Sequence, residues 1–185
     1  IAYLVAHKDH NNLLEAAAIA RRQIPNLWVV IVGSGPLRDQ IVRRARELAL
    51  SDRLVLTGFR DDIPQLIRMF DAFALSSSQE GICSTLLDVM ASGRPIVATD
   101  AAGVREAVLD GETGIVVPIK DPQALAAGIV RMACDPQGTR QMGERAQHRA
   151  VRHFNVDALT EKTLAVYRRV VAGELGPSYP VEPEP

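Results

Sequence analysis

The sequence predicts an α/β protein in which a doubly wound parallel sheet is flanked by helices. Up to Asp100, short apolar segments alternate with longer segments of helical period. The short segments are apolar on both faces, as is typical of parallel strands that helices cover on either side. Repeated strand–helix units of this length favour right-handed crossovers within one Rossmann-like sheet. The 185 residues suffice for one domain with a sizeable core.

Six segments are predicted to be strands because each is short, apolar and bounded by turn residues. Helices are predicted between the strands, since apolar residues recur there at helical spacing. The predicted strands are Ile1–Val5, Leu27–Val32, Arg53–Thr57, Ala72–Ser76, Pro95–Asp100 and Ile115–Val117. The predicted apolar helix faces are Leu13, Leu14, Ala17 and Ala18 in one helix, and Leu37, Ile41, Ala45 and Leu48 in the next.

C-terminal helices complete the predicted domain. Asp121 and Pro122 are typical of a helix start, with the aspartate as N-cap and the proline in the first turn. A further helix is predicted over Arg140–His153, and another follows it. Beyond them proline alternates with acidic residues, so residues 1–173 are predicted to form the domain and 174–185 a disordered tail. The expected apolar positions of these helices are Leu125, Ile129, Met132, Leu159, Thr163, Val166 and Val170.

Composition restricts the partners and the compartment. The net charge is −1 at pH 7, which gives a nucleic-acid partner no electrostatic support. No apolar stretch is long enough to span a bilayer, and no signal peptide opens the chain. Cys83 and Cys134 are too few for a disulfide framework, so a reducing cytoplasm is predicted. The sequence opens with Ile1 inside an apolar segment, and we expect it to be part of a longer protein.

Four loops at the carboxyl ends of the predicted strands are candidate ligand sites, because ligands of open parallel sheets bind there. The first contains Lys8, whose ammonium suits a phosphate, although an exposed lysine near a helix start explains it more simply. The second, Gly33–Pro36, places glycines before a helix, which suits an anion; a tight turn without ligand explains it about as well. The third is Gly58–Asp62, whose aspartates are suited to cap a helix.

The fourth loop, Ser76–Thr85, is the most informative. Small polar side chains and the carboxylate of Glu80 precede a helix predicted to start near Ser84. Free amides at a helix start suit a phosphate, and a carboxylate suits sugar hydroxyls. Asp88 lies one turn into that helix, on the face toward the loop. The alternative is a merely polar loop, followed by an aspartate that favours the positive end of the helix dipole.

The segment from Ser78 to Thr99 resembles the donor-binding half of the group 1 family of retaining glycosyltransferases. That family has a Glu-x7-Glu pattern followed by an EAMA-x-G-x-PVVAT stretch, and this chain has Glu80, Asp88 and Met90–Gly93 in the corresponding places. Further matches follow in the family's order and approximate spacing, and together they span nearly all of the chain before its tail. They are Gly33–Leu37, Leu56–Phe59, Gly103 with Glu106, Asp110–Gly114, the helix at Asp121-Pro122, and Phe154–Tyr167.

The resemblance implies a GT-B enzyme, which consists of two Rossmann-like halves. Such an enzyme would transfer a sugar from a UDP-, GDP- or ADP-linked donor with retention of the anomeric configuration. It would need no metal or other cofactor. It implies two catalytic residues: Lys8 would neutralise the diphosphate, and Glu80 would face the transferred sugar. Asp88 would accept hydrogen bonds from ribose hydroxyls. The other implied donor-binding residues are Gly33, Ser34, Gly58, Phe59, Arg60, Gly81, Ile82, Cys83, Ser84, Thr85 and Leu86.

The chain departs from the family pattern at four positions. Tyr3 stands where an arginine is usual, which removes one cation from the expected diphosphate site. Asp88 replaces the usual glutamate; it is shorter by one methylene but keeps both acceptor oxygens. Asp9 and Ala102 stand where glycine is frequent, so crowding of two loops is expected. The acceptor-binding half is absent from this sequence, so we expect the chain alone to be inactive as a transferase. Membrane contact of the parent enzyme is not encoded in this half.

Other functions fit the residues less well. A nucleotide-sugar-binding module and one half of a GT-B nucleotide-sugar epimerase remain the alternatives. A nicotinamide oxidoreductase is disfavoured, since no glycine-rich fingerprint follows the first predicted strand. His7 and His10 have no third metal ligand nearby in sequence, and Cys83 is better explained as a small loop residue than as a nucleophile. Trp28 and Phe70 are predicted to lie in the core.

Overall fold

The structure, a computed structural model, describes residues 1–81 and 83–174. Ile82 and residues 175–185 lie outside the described residues, and with them most of the predicted tail. Strands and helices alternate along the described chain, as the apolar periodicity predicts. The strands are β1 (Val29–Val32), β2 (Leu54–Gly58), β3 (Phe73–Leu75), β4 (Ile96–Thr99) and β5 (Ile115–Val117).

Eight α-helices and one short 3₁₀ turn accompany the strands in the described part of the chain. Before β4 these are the 3₁₀ turn Ala6–Lys8, α1 (His10–Ala20), α2 (Arg38–Glu47), α3 (Ile63–Met69) and α4 (Ser84–Ala91). After β4 they are α5 (Val104–Ala107), α6 (Pro122–Cys134), α7 (Pro136–His153) and α8 (Val156–Val171). The predicted helix over Arg140–His153 thus begins earlier, because Asp135 caps it through the N–H of Gly138.

All strand pairs are parallel, and helices cover both faces. The strands form two sheets, β1-β2 and β3-β4-β5. In β4, Ile96 and Ala98 pack into one apolar cluster with α4 and α7, whereas Val97 packs into another with α1 and α6. A strand that is buried on both faces is the signature of a parallel sheet between helical layers. The predicted α/β, Rossmann-like class is therefore confirmed.

The predicted strand Ile1–Val5 is wrong. The segment is extended, but it makes only two bonds to its neighbour: Ala2 N–H donates to Val32 O and Leu4 N–H to Ser34 O, both at 2.9 Å. These acceptors lie at and beyond the end of β1, so the segment runs past the carboxyl edge of the sheet. A cavity of about 740 Å³ separates β1 from β3 at the level of the strands themselves.

Helix starts agree well with the expected caps. Asp121 accepts from the N–H of Ala124 at 2.9 Å, with Pro122 in the first turn of α6. Asn155 caps α8 in the same manner through Ala158. Asp62 precedes α3, but its carboxylate accepts from Arg60 rather than from the helix. The described helices contain none that is both long and apolar enough to cross a membrane.

Burial confirms most of the predicted helix faces, with exceptions at the surface. Ile41 and Ala45 are buried in α2, and Leu125 and Met132 in α6. Trp28 is 54% exposed, so its assignment to the core is wrong; the ring lies under the guanidinium of Arg53. Phe70 is half-buried. In α8 no described residue is buried, so its predicted apolar side, including Leu159 and Val170, faces outward.

Candidate functional site

Lys8 and Glu80 meet at the carboxyl edge of the sheet. The Lys8 ammonium donates to Glu80 Oε1 at 2.6 Å, and the Ser77 hydroxyl donates to the same oxygen at 2.6 Å. Both side chains of the ion pair are largely buried, with 18% of the lysine and 7% of the glutamate side chain exposed. Ser77, which sequence reasoning did not single out, holds the carboxylate; its only signal was its place in a serine run after a predicted strand.

The loop that carries Lys8 is tied to the loop that follows β3. The Ser76 hydroxyl donates to Lys8 O at 2.8 Å, and the Ser78 N–H donates to His7 O at 2.8 Å. The buried Thr99 hydroxyl donates to Ser77 O at 2.6 Å from the end of β4. The pair is thus held by hydrogen bonds to backbone carbonyls that join the ends of β3 and β4 to the turn that carries Lys8, and a cation and a carboxylate are fixed in place at this edge.

Helix α4 starts at Ser84, as predicted, next to this pair. Cys83 occupies the N-cap position, and its side chain makes no capping hydrogen bond. Its carbonyl accepts from the N–H of Leu86 at 3.0 Å. Among the described residues no backbone acceptor serves the N–H groups of Ser84 and Thr85, which leaves two donors at the positive end of the helix. The Leu86 side chain is buried in the core, so Leu86 contributes packing beneath the loop.

Asp88 is exposed on α4, one turn after the helix start. Within the described part of the chain its carboxylate makes no hydrogen bond or ion pair. An exposed carboxylate one turn from free helix amides is free to accept hydrogen bonds from hydroxyl groups. Ile82, one of the predicted donor-binding residues, lies outside the described residues, and Gly81 before it is exposed.

Gly103 packs directly on the Gly81 loop, a contact that sequence reasoning missed. Gly103 has φ +81°, and a Cβ there would lie 2.5 Å from Gly81 O. Glycine is therefore required at this position both by its backbone angle and by the close approach. Its only sequence signal was its place in the family pattern with Glu106. Ala102, expected to crowd this loop, is exposed and has no left-handed backbone angle.

Asp9 adopts a left-handed backbone conformation, with φ +45°. This explains why glycine is frequent at the corresponding family position, because residues with a Cβ are strained there. The Asp9 carboxylate caps α1 by accepting from the N–H of Asn12 at 3.2 Å. The cap offsets part of the strain at Asp9.

The glycines of the second loop serve backbone packing. Gly33 and Gly35 have φ +142° and +155°, and a Cβ on Gly35 would lie 2.6 Å from Leu4 N. A Cβ on Gly33 would overlap Ala2 O. Gly33 N–H donates to Gly58 O at 2.8 Å, which joins the second loop to the third. Ser34 between them is exposed. The structure thus supplies a reason for both glycines that involves no ligand.

The third loop lies at the surface. Phe59 is 79% exposed, and Arg60 donates to Asp62 through two nitrogens, the Nε bond measuring 2.7 Å. This ion pair raises the pKa of Arg60 and lowers that of Asp62. Gly58 has φ +74° with open space around the missing Cβ, so the backbone angle alone explains the glycine. Among the described residues no hydrogen bond joins this loop to Lys8 or Glu80.

Two ionisable groups close to Lys8 are desolvated. Burial lowers the pKa of His10 to about 4, with smaller contributions from the Ile1 ammonium and from Lys8. Burial likewise lowers the pKa of the Ile1 ammonium to about 6. His10 is therefore neutral at pH 7. Its Nδ1 has no hydrogen-bond partner in the described structure. No cluster of three or more metal-ligating side chains occurs among the described residues.

The family model described as glycosyl transferases group 1 matches residues 1–149, most of the chain. The chain belongs to this family. The match includes Lys8, Glu80 and Asp88, together with the loops around them.

Relatives within the glycosyltransferase group 1 family cover nearly all of this chain, but the chain covers less than half of them. The putative glycosyltransferase EpsD of Bacillus subtilis is 33% identical over 166 residues, which are 90% of this chain and 43% of EpsD. Alpha-D-kanosaminyltransferase of Streptomyces kanamyceticus is 30% identical over 172 residues, 92% of this chain and 45% of that protein.

Solved structures of the family share the fold. Anabaena HepE in complex with UDP is 27% identical and superposes with a TM-score of 0.84 over 91% of this chain and 47% of HepE. HepE has also been solved with UDP-glucose. The C-terminal domain of the group 1 family protein LpcC of Francisella tularensis superposes with a TM-score of 0.77 over 84% of each chain, at 21% identity. The LpcC likeness shows a shared fold.

Proposed function

We propose that residues 1–173 are the donor-binding half of a retaining glycosyltransferase that takes its sugar from a nucleoside diphosphate without a metal ion. The observation that carries the proposal is the Lys8–Glu80 pair beside the start of α4. It combines a cation, a carboxylate and two free helix amides at one edge of the sheet. A diphosphate linked to a sugar needs these groups together: positive partners for the phosphates and an acceptor for hydroxyls.

Lys8 is proposed to neutralise the diphosphate. Its ammonium is held at 2.6 Å by Glu80 and shielded from solvent, so its charge acts in a medium of lower polarity than water. When the sugar leaves, negative charge grows on the terminal phosphate, and a fixed cation stabilises that charge more than it stabilises the bound donor. The free N–H groups of Ser84 and Thr85 act on the same charge from the helix start.

Glu80 is proposed to face the transferred sugar. One carboxylate oxygen accepts from Lys8 and Ser77, and no described residue donates to the other. That second oxygen is suited to accept hydrogen bonds from sugar hydroxyls. The backbone of Gly81, Ile82 and Cys83 is proposed to present its N–H groups to the sugar and the first phosphate.

Asp88 and the third loop are proposed to hold the nucleoside. In this proposal the unpartnered Asp88 carboxylate accepts hydrogen bonds from ribose hydroxyls. The exposed side chains of Phe59 and Arg60 border the base. Gly33 and Ser34 border the phosphates from the second loop. UDP is the first nucleotide to test, because HepE, which is 27% identical to this chain, was solved in complex with UDP. GDP is the second, because a relative at 31% identity is named as a GDP-mannose-dependent mannosyltransferase.

The chain alone is proposed to bind donor but not to transfer sugar. It spans less than half of EpsD, and a transferase gains much of its rate by holding donor and acceptor together in one cleft. An acceptor-binding N-terminal half is the proposed partner. Incubation of the isolated chain with UDP-glucose and a panel of acceptors should release no UDP above the rate without protein. Release that depends on an acceptor would contradict this part of the proposal.

Calorimetric titration tests the donor site directly. The chain is titrated with UDP, GDP and ADP, and one of them is expected to bind selectively. Asp88→Ala should weaken that binding by about tenfold, which corresponds to one lost pair of ribose hydrogen bonds at ~1.4 kcal/mol. Glu144→Ala is the control, since Glu144 is an exposed carboxylate in the middle of α7. It should bind as the unaltered chain does.

The outcomes separate the parts of the proposal. Selective binding that Asp88→Ala weakens and Glu144→Ala does not supports the donor-binding function and identifies the base. Equal weakening by both variants contradicts the role of Asp88. If none of the three nucleotides binds at millimolar concentration, the isolated chain is not a donor-binding domain.

A further inference from the structure

Helix α7 contacts both α4 and α5, the two helices that start beside the proposed donor site. α4 begins at Ser84 after β3, and α5 begins at Val104 after β4. Ala146 of α7 is buried in the same apolar cluster as residues of both helices. The side-chain amide of Gln147 donates to Ala91 O, at the last residue of α4, at 2.9 Å. The far end of α4 is therefore tied to α7.

Arg149 of α7 is hydrogen-bonded to the far end of α5. Its Nε donates to Ala107 O at 2.8 Å, and its Nη2 donates to Glu106 O at 2.7 Å. Among the described residues no backbone N–H donates to either carbonyl. The last carbonyls of a helix have no partner within it, so the guanidinium supplies the donors that α5 lacks. Two bonds from one planar group also fix the direction of the helix end.

The near end of α5 touches the loop that is proposed to contact the sugar. α5 has only four residues, Val104–Ala107, and spans ~6 Å at 1.5 Å per residue. Gly103 is its N-cap, and a Cβ there would lie 2.5 Å from Gly81 O. A helix of one turn is not stable by itself, so its position depends on the contacts at its two ends. Arg149 and Gly81 are those contacts, and a shift at one end displaces the other.

The guanidinium of Arg149 is itself held in place. Its central carbon lies 5.7 Å from the centre of the Phe154 ring, just after the end of α7. Phe154 packs in turn against the apolar cluster that α4, α5 and α7 share. A guanidinium that is stacked on an aromatic ring loses less freedom when it forms hydrogen bonds. The two bonds to α5 are therefore made by a group whose orientation is already restricted.

We propose that Arg149 is a positioning residue for the donor site. It holds the far end of α5, which keeps Gly103 against Gly81 and sets where the backbone of that loop stands. Arg149 acts through α5 and not on the donor itself. The inference rests on the proposed function, because the loop that begins at Gly81 is proposed to present its N–H groups to the sugar and the first phosphate.

The test compares Arg149→Met with Arg145→Met in the full chain. Arg145 lies one turn earlier in α7 and donates through its Nε to Glu112 O at 2.7 Å, so it makes the same kind of bond, but to the turn before β5 instead of to α5. Arg149→Lys is the conservative variant, because its ammonium restores a cationic donor at the end of α5. Three quantities are measured: the NMR amide signal of Gly81, the affinity for UDP by calorimetry, and the midpoint of urea unfolding.

Arg149→Met is expected to shift the Gly81 signal and to weaken UDP binding about tenfold. Arg145→Met should do neither, even where both variants lower the urea midpoint by the same amount. Arg149→Lys should lie between Arg149→Met and the unaltered chain in both quantities. An unmoved Gly81 signal in Arg149→Met, or equal effects of the two methionine variants, would overturn the proposal.

Two further outcomes are separable. If Arg149→Met does not fold, Arg149→Lys is compared with Arg145→Lys, and equal Gly81 signals in these two variants overturn the proposal. If UDP, GDP and ADP all fail to bind the unaltered chain, the proposed function fails. The Gly81 signal involves no nucleotide, so it still decides whether Arg149 positions that loop.

Discussion

The Lys8 ammonium and the Glu80 carboxylate lie 2.6 Å apart although 72 residues separate them in the chain. Lys8 ends the 3₁₀ turn Ala6–Lys8, Glu80 lies in the loop after β3, and Ser77 donates to the same carboxylate oxygen. Because most of both side chains is buried, neither charge is well solvated without the other. Removal of either partner would leave the other charge buried and uncompensated, so the pair keeps the cation where the diphosphate is proposed to bind.

Replacing Lys8 by methionine tests both roles. Methionine keeps the length of the stem but leaves Glu80 buried with Ser77 as its only described partner, so Lys8→Met should lower the free energy of unfolding by about 1–3 kcal/mol. It should also weaken nucleoside diphosphate binding in calorimetry. Lys162→Met is the control, since Lys162 is exposed on α8 and should change neither quantity. Unchanged nucleotide affinity in Lys8→Met would remove the lysine from the proposed phosphate site.

Substitution of Gly103 tests whether the Gly81 loop positions the donor. A Cβ at residue 103 would lie 2.5 Å from Gly81 O, so Gly103→Ala must displace that loop. The expected result is a loss of about tenfold or more in nucleotide affinity, ~1.4 kcal/mol, measured by titration calorimetry. Gly111→Ala is a matched control: Gly111 has φ +75°, close to the +81° of Gly103, but no atom lies within 4 Å of the added carbon. It should cost about 1 kcal/mol in stability and nothing in affinity.

His10 makes the stability of the fold depend on pH. Its folded-state pKa of about 4 lies below the unfolded value near 6.5, so the unfolded chain binds more protons between these two values. Stability is therefore fully present above about pH 6.5 and is lost as the pH falls toward 4. The loss should be on the order of 2–3 kcal/mol between pH 7 and pH 4.5. Urea unfolding at the two pH values measures it.

His10→Gln should remove that share of the pH dependence, because glutamine does not titrate. His148→Gln is the control, since His148 is exposed on α7 and its replacement should leave the dependence as it is in the unaltered chain. The Ile1 ammonium and Lys8, the charges nearest to His10, are common to all three proteins. If His10→Gln and the unaltered chain lose equal stability on acidification, His10 does not titrate in this window.

Asp9 combines a strained backbone angle with a helix cap, and two substitutions separate these effects. Asp9→Ala loses the cap and keeps the strain, whereas Asp9→Gly loses the cap and relieves the strain. The same two substitutions at Asp121 serve as the reference, because Asp121 caps α6 with an ordinary φ of −119°. The stability difference between glycine and alanine should be about 1 kcal/mol larger at residue 9 than at residue 121. Equal differences at the two sites would contradict strain at Asp9.

The elements that the sequence predicted well are those whose signals are local. The turn Asp110–Gly114 before a short apolar segment identified Ile115–Val117 with its observed bounds. Apolar residues on both faces identified β2 and β4 to within one residue at each end. The Asp121 cap was predicted for the same reason, because a cap is a contact between residues three positions apart. The start of α4 near Ser84 was predicted from the run of small polar residues before it. Such features depend on residues that are close in sequence, so they form largely independently of the tertiary contacts around them.

Two features of the site and one residue outside it were decided by the tertiary structure alone. Ser77 is the partner of Glu80, Gly103 fills the space against Gly81, and Trp28 lies at the surface rather than in the core. None has a local pattern that distinguishes it from its neighbours. The two site contacts follow from which loops meet at the carboxyl edge of the sheet, and therefore from the crossovers that order the strands.

The family membership and the residues of the proposed site were thus contained in the sequence, because motifs and periodicity are properties of neighbouring residues. The register of Ile1–Val5 was not. Its apolar composition is that of a strand, yet only Ala2 and Leu4 donate to the chain at the end of β1, through Val32 O and Ser34 O, and the cavity between β1 and β3 remains beside it. Composition determines that a segment can pair; the position of the opposing backbone donors and acceptors determines where it pairs, and these come together only when distant parts of the chain pack.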